Sequence, residues 1–136
     1  MTDEELTIAL CEILGSLPAW SWRPVGSYTA AETAIFYGAI AAEPDRAIGV
    51  RVYMVTDRDD LAERRAQLRF RGPTGAPSGA DNLAALAFAA LDGLSRVGGI
   101  SGMRRESMAP MGADINGRAE RTDNYIITLD NPEASS

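Results

Sequence analysis

The stretch RAQLRFRG, residues 65–72, alternates without a break. In an extended strand Ala66, Leu68 and Phe70 fall on one side, and Arg65, Gln67, Arg69 and Arg71 fall on the other. A strand of this kind belongs to a sheet with one face on the core and the other uncovered. One face of this strand therefore packs on the core, and the arginine face needs a partner in solvent, nucleic acid or protein. Net charge is −6 at pH 7, which opposes a long-range field for phosphate and favours protein contact.

The residue inventory removes whole classes of chemistry. The chain has no histidine, and all 13 of its basic residues are arginine. Histidine-based catalysis and every lysine-dependent mechanism are thereby excluded, which leaves carboxylate, tyrosine and arginine chemistry. Cys11 is the only cysteine, so an intrachain disulfide is impossible and a cysteine-based metal site lacks ligands. This use of cysteine suits a reducing interior. With 136 residues and 46% hydrophobic side chains, the chain is expected to fold as one domain over residues 1–130, followed by a disordered tail, NPEASS, at 131–136. No apolar run approaches the roughly 20 residues a membrane helix needs. The acidic opening MTDEEL is unlike the basic start of a secretory signal, and the protein is expected to stay where it is made.

Outward from the central strand, the pattern toward the N-terminus starts with a helix. Thr2 and Glu5 have capping-box spacing, and Leu6, Leu10, Ile13, Leu14 and Leu17 follow at helical intervals, which predicts a helix over about 3–15. PAWSWRP places Trp20 and Trp22 outside regular helix, either as an aromatic contact site or as a cap on one end of the core. TAIFYGAI (33–40) and AIGVRVYMV (47–55) read as neighbouring strands with a turn at AEPDR. In the second, Ile48, Val50, Val52 and Met54 share a face. TDRDD (56–60) reads as a solvated turn, since its spacing fails the calcium-loop pattern.

Toward the C-terminus, GPTGAPSGA (72–80) has the composition of a flexible loop and lacks the lysine of a phosphate loop. Ser78 or Asp81 can cap a helix with the stripe Leu83, Leu86, Ala87, Ala90, Leu91 and Leu94, stopped by Gly98 and Gly99. Strands over about 99–109 and 118–130 follow, joined as a protruding hairpin through PMGADINGR, with Tyr125, Ile127 and Leu129 alternating. The expected fold is α+β: one mainly antiparallel sheet with helices packed against it, in the order α-β-β-β-α-β-β.

Laid end to end, AIFYGAI, PDRAIGVRVYMV, QLRFRG, DNLAALAFAALDGL and DINGRAERTDNYIITL resemble the phage tail terminator family, whose members in actinobacterial phages are often labelled minor capsid proteins. The resemblance follows the same order over nearly the whole chain, and GPTGAPSG departs from it in being richer in glycine and proline. It implies a structural virion protein, with no enzymatic role, cofactor or metal. Such a protein forms a hexameric ring at the head-proximal end of the tail, caps the tube and stops its polymerisation. The implied partners are the tube protein and a neck or stopper protein. DNA passes through the lumen without specific binding, no membrane is involved, and assembly takes place in the host cytoplasm.

Under this resemblance Arg65, Arg69 and Arg71 are candidates for a subunit boundary, paired with Asp57, Asp59, Asp60 or Glu63 of a neighbour, because a guanidinium bonds carboxylates bidentately. Candidates for contacting tube or neck are Gly72, Thr74, Gly75 and Ser78 in one loop and Met111, Asp114, Asn116 and Arg118 around the hairpin tip. A head-completion or stopper protein of the neck is the neighbouring alternative. A small ligand-binding α+β domain using Asp114, Arg121, Asp123 or Tyr125 is the alternative of a different class, and it requires a concave pocket in which those groups converge.

Overall fold

The computed structural model describes residues 1–58 and 61–130. Asp59, Asp60 and the expected tail at 131–136 lie outside the described residues. The first helix, α1 (Asp3–Gly15), starts as its sequence dictates: the Thr2 hydroxyl accepts from the Glu5 amide, and the Glu5 carboxylate accepts from the Thr2 amide. These reciprocal bonds hold the Glu5 carboxyl below its ordinary range. Leu6, Leu10, Cys11 and Leu14 are buried along one side of α1.

Next come β1 (Trp20–Trp22), β2 (Thr33–Tyr37), β3 (Ala47–Arg58) and β4 (Leu61–Thr74). Helix α2 (Gly79–Leu91) and the strands β5 (Ile100–Ala113) and β6 (Arg118–Leu129) follow. All six strands form one sheet in the order β1-β2-β3-β4-β6-β5. Ala66, Leu68 and Phe70 of β4, Ile48 and Val50 of β3, and Tyr125 and Ile127 of β6 are all buried on the face that both helices cover. The alternation in RAQLRFRG thus sets the geometry of the whole layer.

The α+β class holds, and two features of the arrangement differ from the pattern. A short extra strand, β1, forms at WSW, where Trp20 is buried in the core and Trp22 packs against it, so the tryptophans close one end of the core. The sheet is mixed: β1 with β2 and β2 with β3 are parallel, and the remaining pairs are antiparallel. Residues 38–46 do not make a hairpin turn but carry the chain back to the starting end of β2, beside which β3 begins. This crossover lies over Gly49, where a Cβ would run into the Gly38 carbonyl and press on Ile40.

Other boundaries move for local reasons. A bulge between Val52 and Met54 takes β3 beyond the covered region, so Tyr53, Met54 and Val55 are exposed, and Thr56–Arg58 belong to the strand instead of a turn. Helix α2 stops at Leu91, well before Gly98, because Gly93 already takes a left-handed φ of 84°. Its buried stripe is Ala80, Leu83, Ala84, Ala87 and Leu91, which leaves Leu86 outside it, 51% exposed. The β5–β6 hairpin does not protrude: β4 runs alongside β6 up to the Thr74–Arg118 pair. No helix among the described residues is long and apolar enough to cross a membrane.

Under α2 lies a buried polar network. Asp123, wholly buried, pairs with Arg121 at 2.7 Å and Arg105 at 3.4 Å, and Arg121 reaches Asp81 in the first turn of α2 at 3.1 Å. The Arg105 guanidinium sits 4.2 Å from the ring centroid of Phe88. The neighbouring Tyr125 hydroxyl is buried with no partner among the described residues, and burial pushes its pKa well above the usual range. An unsatisfied buried hydroxyl costs stability, so Tyr125→Phe is expected to stabilise the fold by about 1 kcal/mol. Urea unfolding of the two proteins checks this, and a loss of similar size would show that the hydroxyl has a partner.

Candidate interface surfaces

One end of the sheet is assembled by two arginines. Arg71, near the end of β4, turns its guanidinium into the 38–46 crossover, where it donates to the carbonyls of Ala41 (2.9 Å), Ala42 (3.3 Å), Pro44 (2.7 Å) and Asp45 (3.0 Å). Arg118, which opens β6, donates to the Ala42 carbonyl at 2.7 Å, to the Asp45 carboxylate at 3.2 Å and to the Asp114 carboxylate at 2.8 Å. Both arginines are buried. A planar guanidinium with five donors suits a loop that offers carbonyls from several directions, which an ammonium could not match.

Asp114 completes the arrangement from the hairpin turn. Its carboxylate accepts from the backbone amides of Asn116 and Arg118, both at 2.9 Å, and from the Arg118 side chain. The Arg118 backbone bond, followed by the side-chain bond, holds its pKa below the usual carboxylate range. The same end receives the glycine-rich segment. The Gly75 amide donates to the Gly117 carbonyl at 3.1 Å, which brings the two candidate contact loops together.

The glycine-rich segment is anchored, contrary to its composition. Gly72 and Gly79 are buried against each other; a Cβ on Gly72 would lie 2.7 Å from the Gly79 Cα. Backbone contact this close lets α2 start directly over the end of β4, and only glycine permits it. Of the contact candidates, Gly72 and Arg118 are therefore interior, Asp114 is half-buried, and Thr74, Gly75, Ser78, Met111 and Asn116 are exposed.

The uncovered sheet face is where the opening arginines were expected. Arg65 pairs with Glu106 at 2.9 Å and Glu63 at 3.3 Å, Arg69 pairs with Glu120 at 2.6 Å, and Gln67 donates to Asn124 at 3.3 Å. Arg65 and Arg69 thus already have acids on their own sheet, Arg71 is committed to the crossover, and Arg69 alone keeps a side chain about half exposed, at 47%. Tyr37, Ile40, Arg51, Gln67, Arg69 and Glu120 border an open depression of about 660 Å³ on this face.

The expected acids are divided. Glu63 serves Arg65, and Asp57 bonds Arg64 at 2.7 Å on the helix side. Asp59 and Asp60 lie outside the described residues. Arg64 also pairs with Asp3 at 3.0 Å, so it ties the β3–β4 hairpin to the first turn of α1. Sequence reasoning passed over Arg64, although an arginine two positions before Ala66 on the apolar face signals a buried ion pair. The four residues of the ligand-binding alternative do not converge: Asp114 lies in the hairpin turn with Arg118, and Arg121, Asp123 and Tyr125 lie under α2.

The fold and its surfaces together define an α+β protein with a one-sided sheet, a braced loop end and polar pairs within the chain. A family model described as Bacteriophage tail terminator protein matches residues 20–131, and the chain belongs to that family. No curated protein matches the chain in a sequence comparison.

The two roles of the arginines predict opposite mutational outcomes. Arg71→Leu strands several carbonyls of the crossover and is expected to cost about 3 kcal/mol, whereas Arg69→Leu removes an exposed pair and is expected to cost less than about 1 kcal/mol. Urea unfolding midpoints measure both. Equal effects would contradict the division.

Proposed function

We propose that the chain assembles as a hexameric ring on the head-proximal end of a phage tail tube, where it stops tube polymerisation and joins the tail to the neck. The observation that carries this reading is the gathered end of the sheet. The 72–79 segment, the hairpin tip and the 38–46 crossover share one surface braced by Arg71 and Arg118. A terminator must offer an arriving ring a fixed surface, because mobile loops would lose ordering entropy on every contact. Thr74, Gly75, Ser78, Met111 and Asn116 are the exposed residues of that surface and its margins, and they would face the tube or the neck.

Membership of a tail terminator family supports the role, and the in-chain ion pairs agree with a protein that acts by shape. Arg69 keeps the exposure needed for a contact at a subunit boundary. With a net charge of −6 per subunit, the ring would present DNA with a lumen that repels phosphate, so DNA passes without being held. The protein would be assembled in the host cytoplasm and remain in the virion.

Deletion of the gene from the phage tests the reading by electron microscopy of the lysate. Over-long tails detached from heads are expected. Tails of normal length beside heads that have lost their DNA would overturn the terminator role and assign the chain to the stopper position.

A further inference from the structure

On the face that the helices leave bare, β3 and β4 bring two exposed guanidiniums together. Arg51 stands opposite Gln67, and Gly49 stands opposite Arg69, so Arg51 and Arg69 are diagonal neighbours. Such neighbours have Cβ atoms about 7–8 Å apart, close enough for long side chains to meet over one ligand. Gly49 puts no side chain beside Arg69, because the crossover lies over it. The open depression of about 660 Å³ occupies this space, with Tyr37 and Ile40 on its crossover side and Glu120 on its rim.

The hydrogen-bonding capacity of both guanidiniums is largely unspent. Arg51 makes no ion pair or hydrogen bond through its side chain among the described residues, and it lies over the Tyr37 ring, 5.7 Å from the centroid. Stacking of this kind holds the planar group while leaving its donors outward. Arg69 directs Nε (2.9 Å) and Nη2 (2.6 Å) to one oxygen, Oε1 of Glu120, and Nη1 is unbonded among the described residues. Arg71 adds a third cation whose bonds all go to neutral carbonyls. Three guanidiniums thus line the depression against one carboxylate, in a chain whose net charge is −6.

We propose that this depression receives a carboxylate side chain carried by an acidic segment of a partner protein, with Arg51 and Arg69 bonding its oxygens. Charge complementarity identifies the occupant. A carboxylate between two like charges removes their mutual repulsion, and the guanidinium fork matches its geometry. The Tyr37 ring and Ile40 offer an apolar wall to the stem of the incoming side chain. An open depression cannot enclose most of a small molecule, as ligand pockets do, whereas a side chain on a longer polypeptide needs only its end covered. Duplex DNA is a far denser anion, and the net charge of the chain opposes it at long range. The inference goes beyond the ring reading and does not depend on it, since the site is complete within one copy of the chain.

Titration of the isotope-labelled full chain with a capped peptide of sequence GELEG tests the site by nuclear magnetic resonance. Saturable shifts are expected in the side-chain Nε–Hε signals of Arg51 and Arg69 at millimolar peptide, with no such shifts from the uncharged analogue GQLQG. Arg51→Gln and Arg69→Gln, both at exposed positions, are each expected to weaken binding about tenfold, the loss of a charge-assisted hydrogen bond. Arg104→Gln removes the same charge from an exposed position outside the depression and is expected to leave the affinity within about twofold, the residue of a screened long-range charge.

Absence of saturable shifts at Arg51 and Arg69 would overturn the proposal, as would an equal loss of affinity in Arg104→Gln, which would reduce the binding to general attraction. A short DNA duplex that moves the same signals at lower concentration than the peptide would assign the depression to phosphate and overturn it too. Movement of those signals when the unliganded chain is concentrated would make a second copy the occupant, against the partner proposed. None of these results bears on tail length, so the ring reading stands or falls separately.

Discussion

The folded arrangement depends on one constraint: a parallel crossover between β2 and β3 must be held down on the sheet by groups that can bond its carbonyls. Arg71 and Arg118 do this from two different strands, with Ala42 accepting from both. Residues 38–46 present backbone oxygens inward, and buried carbonyls without donors would cost far more than the arginines lose on desolvation. The same two side chains join β4, β6 and the hairpin turn, because Asp114 closes on Arg118. Every surface ascribed to contact with another ring is built on this brace.

Much of this architecture is legible in the residues. The Thr2–Glu5 box, the alternation in β4 and the Tyr125, Ile127, Leu129 series specify their elements locally, because each burial pattern depends on the residue's own strand or helix. Features that depend on distant partners are not legible in this way. Arg71 alternates in sequence with Arg69, yet one is buried and the other half exposed, because only Arg71 lies beneath the crossover. The parallel pairing of β2 and β3 is hidden for the same reason: a turn-rich linker such as AEPDR has the composition of a hairpin or of a crossover alike.

The glycine-rich segment shows how composition misleads. Its glycines read as freedom, but Gly72 and Gly79 serve close packing, and Gly75 is tied to Gly117. The candidate site was thus found in part. Its two loops were legible as exposed turns, whereas their meeting, and the arginines that make them one surface, required the sheet order.

The central claim is that this subunit ends the tail tube by ring-to-ring contact through its braced end. Cryo-electron microscopy of the head–tail junction in intact virions tests it most directly. The account predicts six copies of this one-sided sheet in a single ring on the last ring of tube protein, with the 72–79 segment and the hairpin tip on a ring-to-ring face. A junction in which this chain is absent from the tube end, or sits there with those loops pointing away from both neighbouring rings, would contradict it.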